Sequence, residues 1–301
     1  MAGKSKKGLT YYLLYGVLYL HALLPFRLLY MLSDLLYGLI YHLVKYRKAT
    51  VRKNLTNAFP DKSKEEIIGI EKAFYHHLCD YFVESVKTLH MSNKEAGERM
   101  KFLHTDILDT WVAEGHSCLL CLGHYANWEW VTSIGLHLKK ETSLGLIYKR
   151  LHADAFDQLF LTIRHHFGAT PIEMKRAFRR MISFQQEGNC MTVGFLADQR
   201  PSRNQDQFWT TFLNQDTPVQ TGMGKIAAHL ELPVAYLDIT KVKRGYYEGK
   251  IEILSSPGDR DTPIDITERY IRKLEETVLR EPAYYLWSHN RWKFKRKGEH
   301  A

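Results

Sequence analysis

The stretch Leu120–Trp130, LCLGHYANWEW, sets a histidine just beyond a short apolar run and a glutamate five residues further on. Imidazole plus carboxylate suits general-base chemistry. The acid holds one ring nitrogen and the other takes a proton from a hydroxyl. The spacing alone is a weak signal. Four of the fifteen histidines carry an acid at that offset: His90–Glu95, His104–Asp109, His124–Glu129 and His152–Asp157. At this density of acids, roughly one or two such pairs arise by chance.

Position separates the four. His90 and His104 lie in polar connecting segments, and His152 straddles a helix start. His124 follows a continuous apolar strand and Gly123, at the entrance of a helix expected over Asn127–Lys139. In parallel α/β folds, the crevice beyond the strand ends is where ligands bind. Residues five apart on one helix point about 140° from each other. The pair therefore requires His124 in the loop and Glu129 in the first helical turn, with Asn127 as N-cap.

The elements that must position this pair read as alternating strands and helices. Glu65–Leu89 is an amphipathic helix, with Ile67, Ile70, Phe74, Leu78, Tyr81, Phe82, Ser85, Val86 and Leu89 at steps of three and four. Strands are expected at Ser117–Leu122, Leu144–Tyr148, Ala169–Ile172, Cys190–Leu196 and Pro233–Ile239, with another at GKIEIL. Helices follow at about Asp154–Phe167, Glu173–Gln186, Gly222–Leu230 and Ile266–Leu279, the last opened by a capping box at Asp265 and Glu268. Apolar strands alternating with amphipathic helices indicate an α/β fold, a mostly parallel sheet sandwiched by helices. Cys118 and Cys121 form a CxxC, but inside the apolar run SCLLCL with no second such motif they read as core.

The first fifty residues differ in character from residues 51–301, the expected catalytic domain. Leu9–Leu24 is an apolar run ended by Pro25. Phe26–Val44 is again rich in Leu and Tyr but carries Arg27, Asp34 and His42. Sixteen residues at about 1.5 Å each give some 24 Å, short of a span of about 30 Å. Lys4, Lys6 and Lys7 precede the run, and Arg27, Lys45, Arg47, Lys48, Arg52 and Lys53 follow it. Basic rims on both sides suit a helical membrane anchor pressed onto an anionic leaflet from the cytoplasmic side. A buried helix pair is the plainer alternative. Residues 1–8 and the tail after Lys297 read as disordered. The net charge of +9 favours anionic partners, and no nucleic-acid module is visible.

Five blocks in order, RKNLTNAFPDKS, GHYANWEW, VGFLADQRPS, PVQTG and YLWSHNRWK, resemble the lipid A biosynthesis acyltransferase family, the late lauroyl- and myristoyl-type enzymes of bacterial lipopolysaccharide assembly. The resemblance runs from about Tyr12 to Lys295. It implies a glycerolipid-acyltransferase-like fold at the bacterial inner membrane, with the catalytic domain on the cytoplasmic side. It also implies transfer of an acyl chain from acyl carrier protein to a hydroxyacyl arm of a lipid A precursor, without a metal or cofactor. His124 and Glu129 match the family's catalytic pair. The family's YRP-like segment falls on Lys149 and Arg150, where Lys replaces Arg and loses the bidentate grip of a guanidinium. Arg164 matches an arginine of the next helix, and Asp198 and Gln199 match its DQ.

The chemistry of such a transfer needs a base for the hydroxyl and donors for the tetrahedral oxyanion. His124 is the expected base, and backbone N–H groups at the start of the Asn127 helix are expected donors. Lys149, Arg150, Arg164 and Arg200 are the cations expected for a phosphorylated acceptor. The tail RWKFKRK, alternating aromatic and basic, suits a lipid interface or an acidic carrier protein. Two other readings stay open: a membrane acyltransferase acting on a different glycolipid or an aminolipid, and a non-catalytic basic membrane-binding protein. A metallohydrolase lacks the paired-histidine ligand spacing it needs.

Overall fold

The computed structural model describes residues 8–139, 142–202 and 207–296. The ends expected to be disordered lie outside these residues, apart from Gly8. Two apolar helices lead the described chain: α1 (Leu9–Ala22), then α2 (Phe26–Tyr37), which runs on as a π-helical turn, Gly38–Val44. Pro25 has no N–H to continue α1, and its fixed φ suits the start of α2. Among the described residues, no single helix is long and apolar enough to cross a membrane. The pair passes that test together but is bent by 115°.

α3 (Lys48–Ala58) leads to α4 (Lys64–Lys87), which falls within two residues of its expected bounds. A capping box starts α4: the Ser63 hydroxyl accepts from the Glu66 N–H, and the Glu66 carboxylate accepts from the Ser63 N–H. The apolar stripe faces the core as expected, except Phe82, which is 48 % exposed beside α1 and α2. The other side of α4 buries Glu71, Asp80, Glu84 and Lys87, which an amphipathic pattern assigns to solvent. The first helices cover them and supply their partners. Ser33 donates to Asp80 at 2.7 Å, Tyr41 to Glu71 at 3.0 Å and Tyr30 to Glu84 at 2.9 Å. The Lys87 ammonium donates to the carbonyls of Ala22 and Leu24, closing the carboxyl end of α1.

The body continues with α5 (Asn93–Arg99), β1 (Met100–Leu103), α6 (Asp106–Ala113), β2 (Cys118–Leu122), a 3-10 helix (Trp130–Leu136), β3 (Ser143–Tyr148) and α7 (Asp154–His165). Next come β4 (Thr170–Glu173), α8 (Ala177–Gln186), β5 (Met191–Leu196), β6 (Gln207–Phe212) and β7 (Gln215–Gln220). The last elements are α9 (Gly222–His229), β8 (Val234–Lys243), β9 (Tyr246–Ser255) and α10 (Pro263–Arg280). Seven strands form one sheet in the order β1-β9-β8-β2-β5-β3-β4. Every neighbouring pair is parallel except the β8–β9 hairpin. The expected mixed α/β fold with a mostly parallel sheet flanked by helices is the fold observed.

Two local expectations change. The helix beyond β2 is a short 3-10 segment that starts at Trp130. The capping box of α10 uses Thr262 and Asp265, one turn before the expected pair. The stretch QFWTTFL forms β6 and its turn, paired antiparallel with β7, and Phe212 and Leu213 are buried. The two strand cysteines are core: Cys118 and Cys121 are fully buried, and burial pushes the Cys118 thiol up to about 12.

Candidate active site

β2 and β5 are adjacent and parallel, in a register that pairs Leu122 with Leu196. Each chain then runs two residues past that pair, to His124 on one side and Asp198 on the other. Register therefore sets a histidine and a carboxylate side by side at the carboxyl edge of the sheet. His124 Nδ1 lies 2.6 Å from Asp198 Oδ1, and the His124 backbone N–H donates to Asp198 Oδ2 at 3.1 Å. With Asp198 as acceptor, the proton sits on Nδ1 and Nε2 keeps its lone pair. The Gln199 amide donates to that nitrogen across 3.1 Å. Any hydroxyl that approaches Nε2 must take the place of this N–H.

Asp198 is 2 % exposed. Burial alone pushes its carboxyl up, but the His124 ring, both hydrogen bonds from His124 and the Arg291 charge outweigh burial and hold it below the usual carboxylate range. Arg291 is itself fully buried and donates Nη1 to the Pro218 carbonyl, and its Nε and Nη2 have no partner among the described residues. It acts on Asp198 as a nearby positive charge. His289 accepts from the Arg200 N–H, and burial lowers it to about 4, so it is neutral at physiological pH.

The Glu129 carboxylate does not orient His124. Its two oxygens accept from Arg164 on α7, at 3.1 Å from Nε and 2.7 Å from Nη2, in a bidentate pair. Glu129 falls just before the 3-10 helix begins, so its side chain is directed to α7 and not back to the loop. The same pair means that Arg164, expected to meet substrate phosphate, spends its fork on Glu129. Removing one partner of such a buried pair strands the other charge, at a cost of about 3–5 kcal/mol. Glu129→Gln is therefore expected to lower the melting temperature by several degrees, and thermal unfolding monitored by circular dichroism checks it.

The turn between β2 and the 3-10 helix is held at several points. Ala126 has φ of 50°, a left-handed value that costs a residue with a Cβ about 1 kcal/mol. Its N–H donates to the Tyr284 carbonyl, and its own carbonyl accepts from His77 Nε2. Burial and Lys241 lower His77 to about 3, which keeps it neutral. The His124 carbonyl accepts from the Leu286 N–H. Gly123 packs so close to α10 that a Cβ there collides with Leu274 Cδ1. Trp128 meets the His124 ring edge-on at 5.3 Å and stacks on Tyr81 of α4 at 4.0 Å.

The oxyanion donors expected at the helix start are partly committed elsewhere. Tyr125 N–H bonds the Gly123 carbonyl, Ala126 N–H the Tyr284 carbonyl, and Trp130 N–H the Asn127 side chain. Asn127 is not the N-cap residue, which is Glu129, but its side chain still accepts from the first N–H of the shorter 3-10 helix. Among the expected cations, Lys149 and Arg150 are exposed beyond the end of β3, and Arg150 pairs with Asp154 at 2.9 Å. Arg200 is half-buried beside His289 and packs over Phe294 at 4.7 Å. The contact between His124 and Asp198, the latter matched by resemblance to a DQ block, is the feature of the site that sequence reasoning missed. The only available signal was that ADQ ends β5 as GH ends β2.

His124 thus stands at the carboxyl edge of a parallel α/β sheet with Nε2 toward the half-exposed Gln199, an arrangement chemically able to take a proton from a hydroxyl. The chain belongs to the bacterial lipid A biosynthesis acyltransferase family, whose model matches residues 4–294. It is thus an acyltransferase of lipid A biosynthesis. No curated protein matches the chain.

Proposed function

We propose that this protein moves a fatty acyl chain from a thioester on acyl carrier protein to a hydroxyl of an acyl arm on a lipid A precursor, with His124 as the general base. The observation that carries this reading is the His124–Asp198 pair, which leaves Nε2 unprotonated. Nε2 takes the proton as the hydroxyl oxygen attacks the thioester carbon. Collapse of the tetrahedral intermediate breaks the carbon–sulfur bond, and the imidazolium returns its proton to the departing thiolate. Asp198 keeps the ring in the required tautomer and stabilises the imidazolium while it lasts. Lys149, Arg150 and Arg200 are the cations that remain at the sheet edge for an anionic headgroup. Glu129 and Arg164 act as a clamp between the catalytic turn and α7.

The setting we propose is the cytoplasmic face of the inner membrane, with the first two helices lying in an anionic leaflet. Leu13, Val17, Leu20, Met31, Leu35 and Leu43 point outward on α1, α2 and the π-helical turn, each more than half exposed. Beside them, an apolar cavity of about 460 Å³ lies between these helices and α4, lined by Leu18, Leu29, Leu32, Leu36, Phe82 and Val86. Each such leucine gains roughly 1.5–3 kcal/mol when fully withdrawn from water. Deleting the helices also takes Ser33 from Asp80 and Tyr30 from Glu84, so substitution is the cleaner test. Leu20→Glu with Leu35→Glu is expected to release a folded protein from anionic vesicles in a flotation assay. A double variant that still floats contradicts the interfacial reading.

A further inference from the structure

A buried carboxylate outside the reacting groups ties the catalytic turn to the rest of the molecule. Glu84, on α4, is fully buried. Its Oε2 accepts from Asn127 Nδ2 at 2.8 Å and from the Tyr247 hydroxyl of β9 at 2.8 Å. Its Oε1 accepts from the Tyr30 hydroxyl of α2 at 2.9 Å, and its backbone carbonyl accepts from Trp130 Nε1 at 3.0 Å. Asn127 is fully buried and stands between His124 and Glu129. Its orientation is fixed from both ends. Its Oδ1 accepts from the Trp130 N–H, so its NH2 must face Glu84, and Glu84 must present an acceptor.

We propose that Glu84 is a positioning residue for acyl transfer, acting through Asn127 to hold the turn that carries His124 and Glu129. The proposal rests on the reading of His124 as the transfer base. Without the acceptor at Glu84, the Asn127 amide is left unpaired in a dry site. Rotation of that side chain to find water uncaps Trp130 and lets the left-handed Ala126 relax. The Nδ1–Asp198 contact then loses its fixed partner geometry, because His124 sits three residues before Asn127 in the same turn. Misplacement of a base by about 1 Å is enough to cost about 100-fold in rate.

Charge is not the property required. Burial raises the Glu84 carboxyl to about 7, with Lys241 and the donors Tyr247 and Asn127 opposing burial and Asp80 adding to it. A protonated Glu84 still offers Oε2 as a carbonyl acceptor to Asn127 while its hydroxyl donates to Tyr30. What matters is that one partner donates and the other accepts. This gives the proposal a test in which the polarity of the bond is first broken and then restored in reverse.

Asn127→Asp keeps the cap on Trp130 but sets carboxylate against carboxylate. It is expected to lower kcat about 10- to 100-fold with KM within threefold. Adding Glu84→Gln lets the new amide donate to the new carboxylate. The double variant is expected to recover kcat to within about fivefold of wild type, a reversal that loss of packing does not produce. A second readout needs no substrate: the rate at which diethyl pyrocarbonate modifies His124, resolved by peptide mass spectrometry, is expected to change in the single variant and return in the double. A folded Asn127→Asp enzyme with unchanged kcat and unchanged His124 modification overturns the proposal. So does a double variant no better than the single one, including the case where the single variant fails to fold. If the wild-type protein transfers no acyl group at all, the function above fails instead, and the modification rates still judge the positioning.

Discussion

His124→Ala is expected to remove acyl transfer to the limit of detection while the protein stays folded and vesicle-bound. A positioned general base contributes about 10²–10⁴-fold, or roughly 3–5 kcal/mol of barrier. Neither of the other histidines near the site is ready to take its place. His289 is neutral but bound to the Arg200 N–H, and His77 is spent on the Ala126 carbonyl and Lys241. His124 is partly exposed, so truncating it leaves an opening rather than a sealed core cavity. Circular dichroism and vesicle flotation alongside the activity assay separate loss of chemistry from loss of fold.

Asp198→Asn is expected to cost nearly as much. Asp198 accepts two N–H groups, from the His124 ring and the His124 backbone, with one oxygen each. Asparagine has a single oxygen. If that oxygen faces the ring, the backbone N–H meets an amide NH2. If it faces the backbone, the amide NH2 faces Nδ1 and drives the proton to Nε2, where the ring no longer acts as a base. Either way the turnover falls by roughly 10²–10⁴-fold, the scale of a wrong tautomer. The same substitution changes the response to acid. The Asp198 carboxyl is held below its ordinary value, so it contributes stability above the usual carboxylate range. That stability is lost as the pH falls through the depressed value. The variant is therefore expected to lose less melting temperature than wild type on acidification. Glu129→Gln, by contrast, acts through the Arg164 pair, and its effect on stability is expected to exceed that of Asp198→Asn.

Much of this arrangement was legible in the sequence. The strands SCLLCL and CMTVGFL, and the histidine at the end of the first, follow from composition and order alone. The partner of His124 does not. Which carboxylate reaches the ring depends on the register between β2 and β5, whose paired residues lie 74 positions apart in the sequence, and on where the helix after β2 begins. A full helix from Asn127 puts Glu129 in its first turn near the loop. The 3-10 segment begins later, and Glu129 turns to Arg164 instead. Periodicity failed in a similar way on α4. Its apolar stripe predicts a core face, but the burial of Glu71, Asp80 and Glu84 is decided by helices that come earlier in the chain and supply the hydroxyls and Arg52. Of β9, which carries Tyr247 to Glu84, the sequence pattern shows only GKIEIL. β1 leaves no pattern, since Met100–Leu103 is short and only its first residue is buried.

The central claim is that this site transfers an acyl group with His124 as its base. It is tested most directly by mass spectrometry of a lipid A precursor incubated with acyl carrier protein thioester and either wild-type or His124→Ala protein. The account predicts a mass gain of one acyl group with the wild-type protein, its size giving the chain length, and no gain with the variant. A His124→Ala protein that still acylates the precursor, or a folded wild-type protein that leaves its mass unchanged, contradicts it.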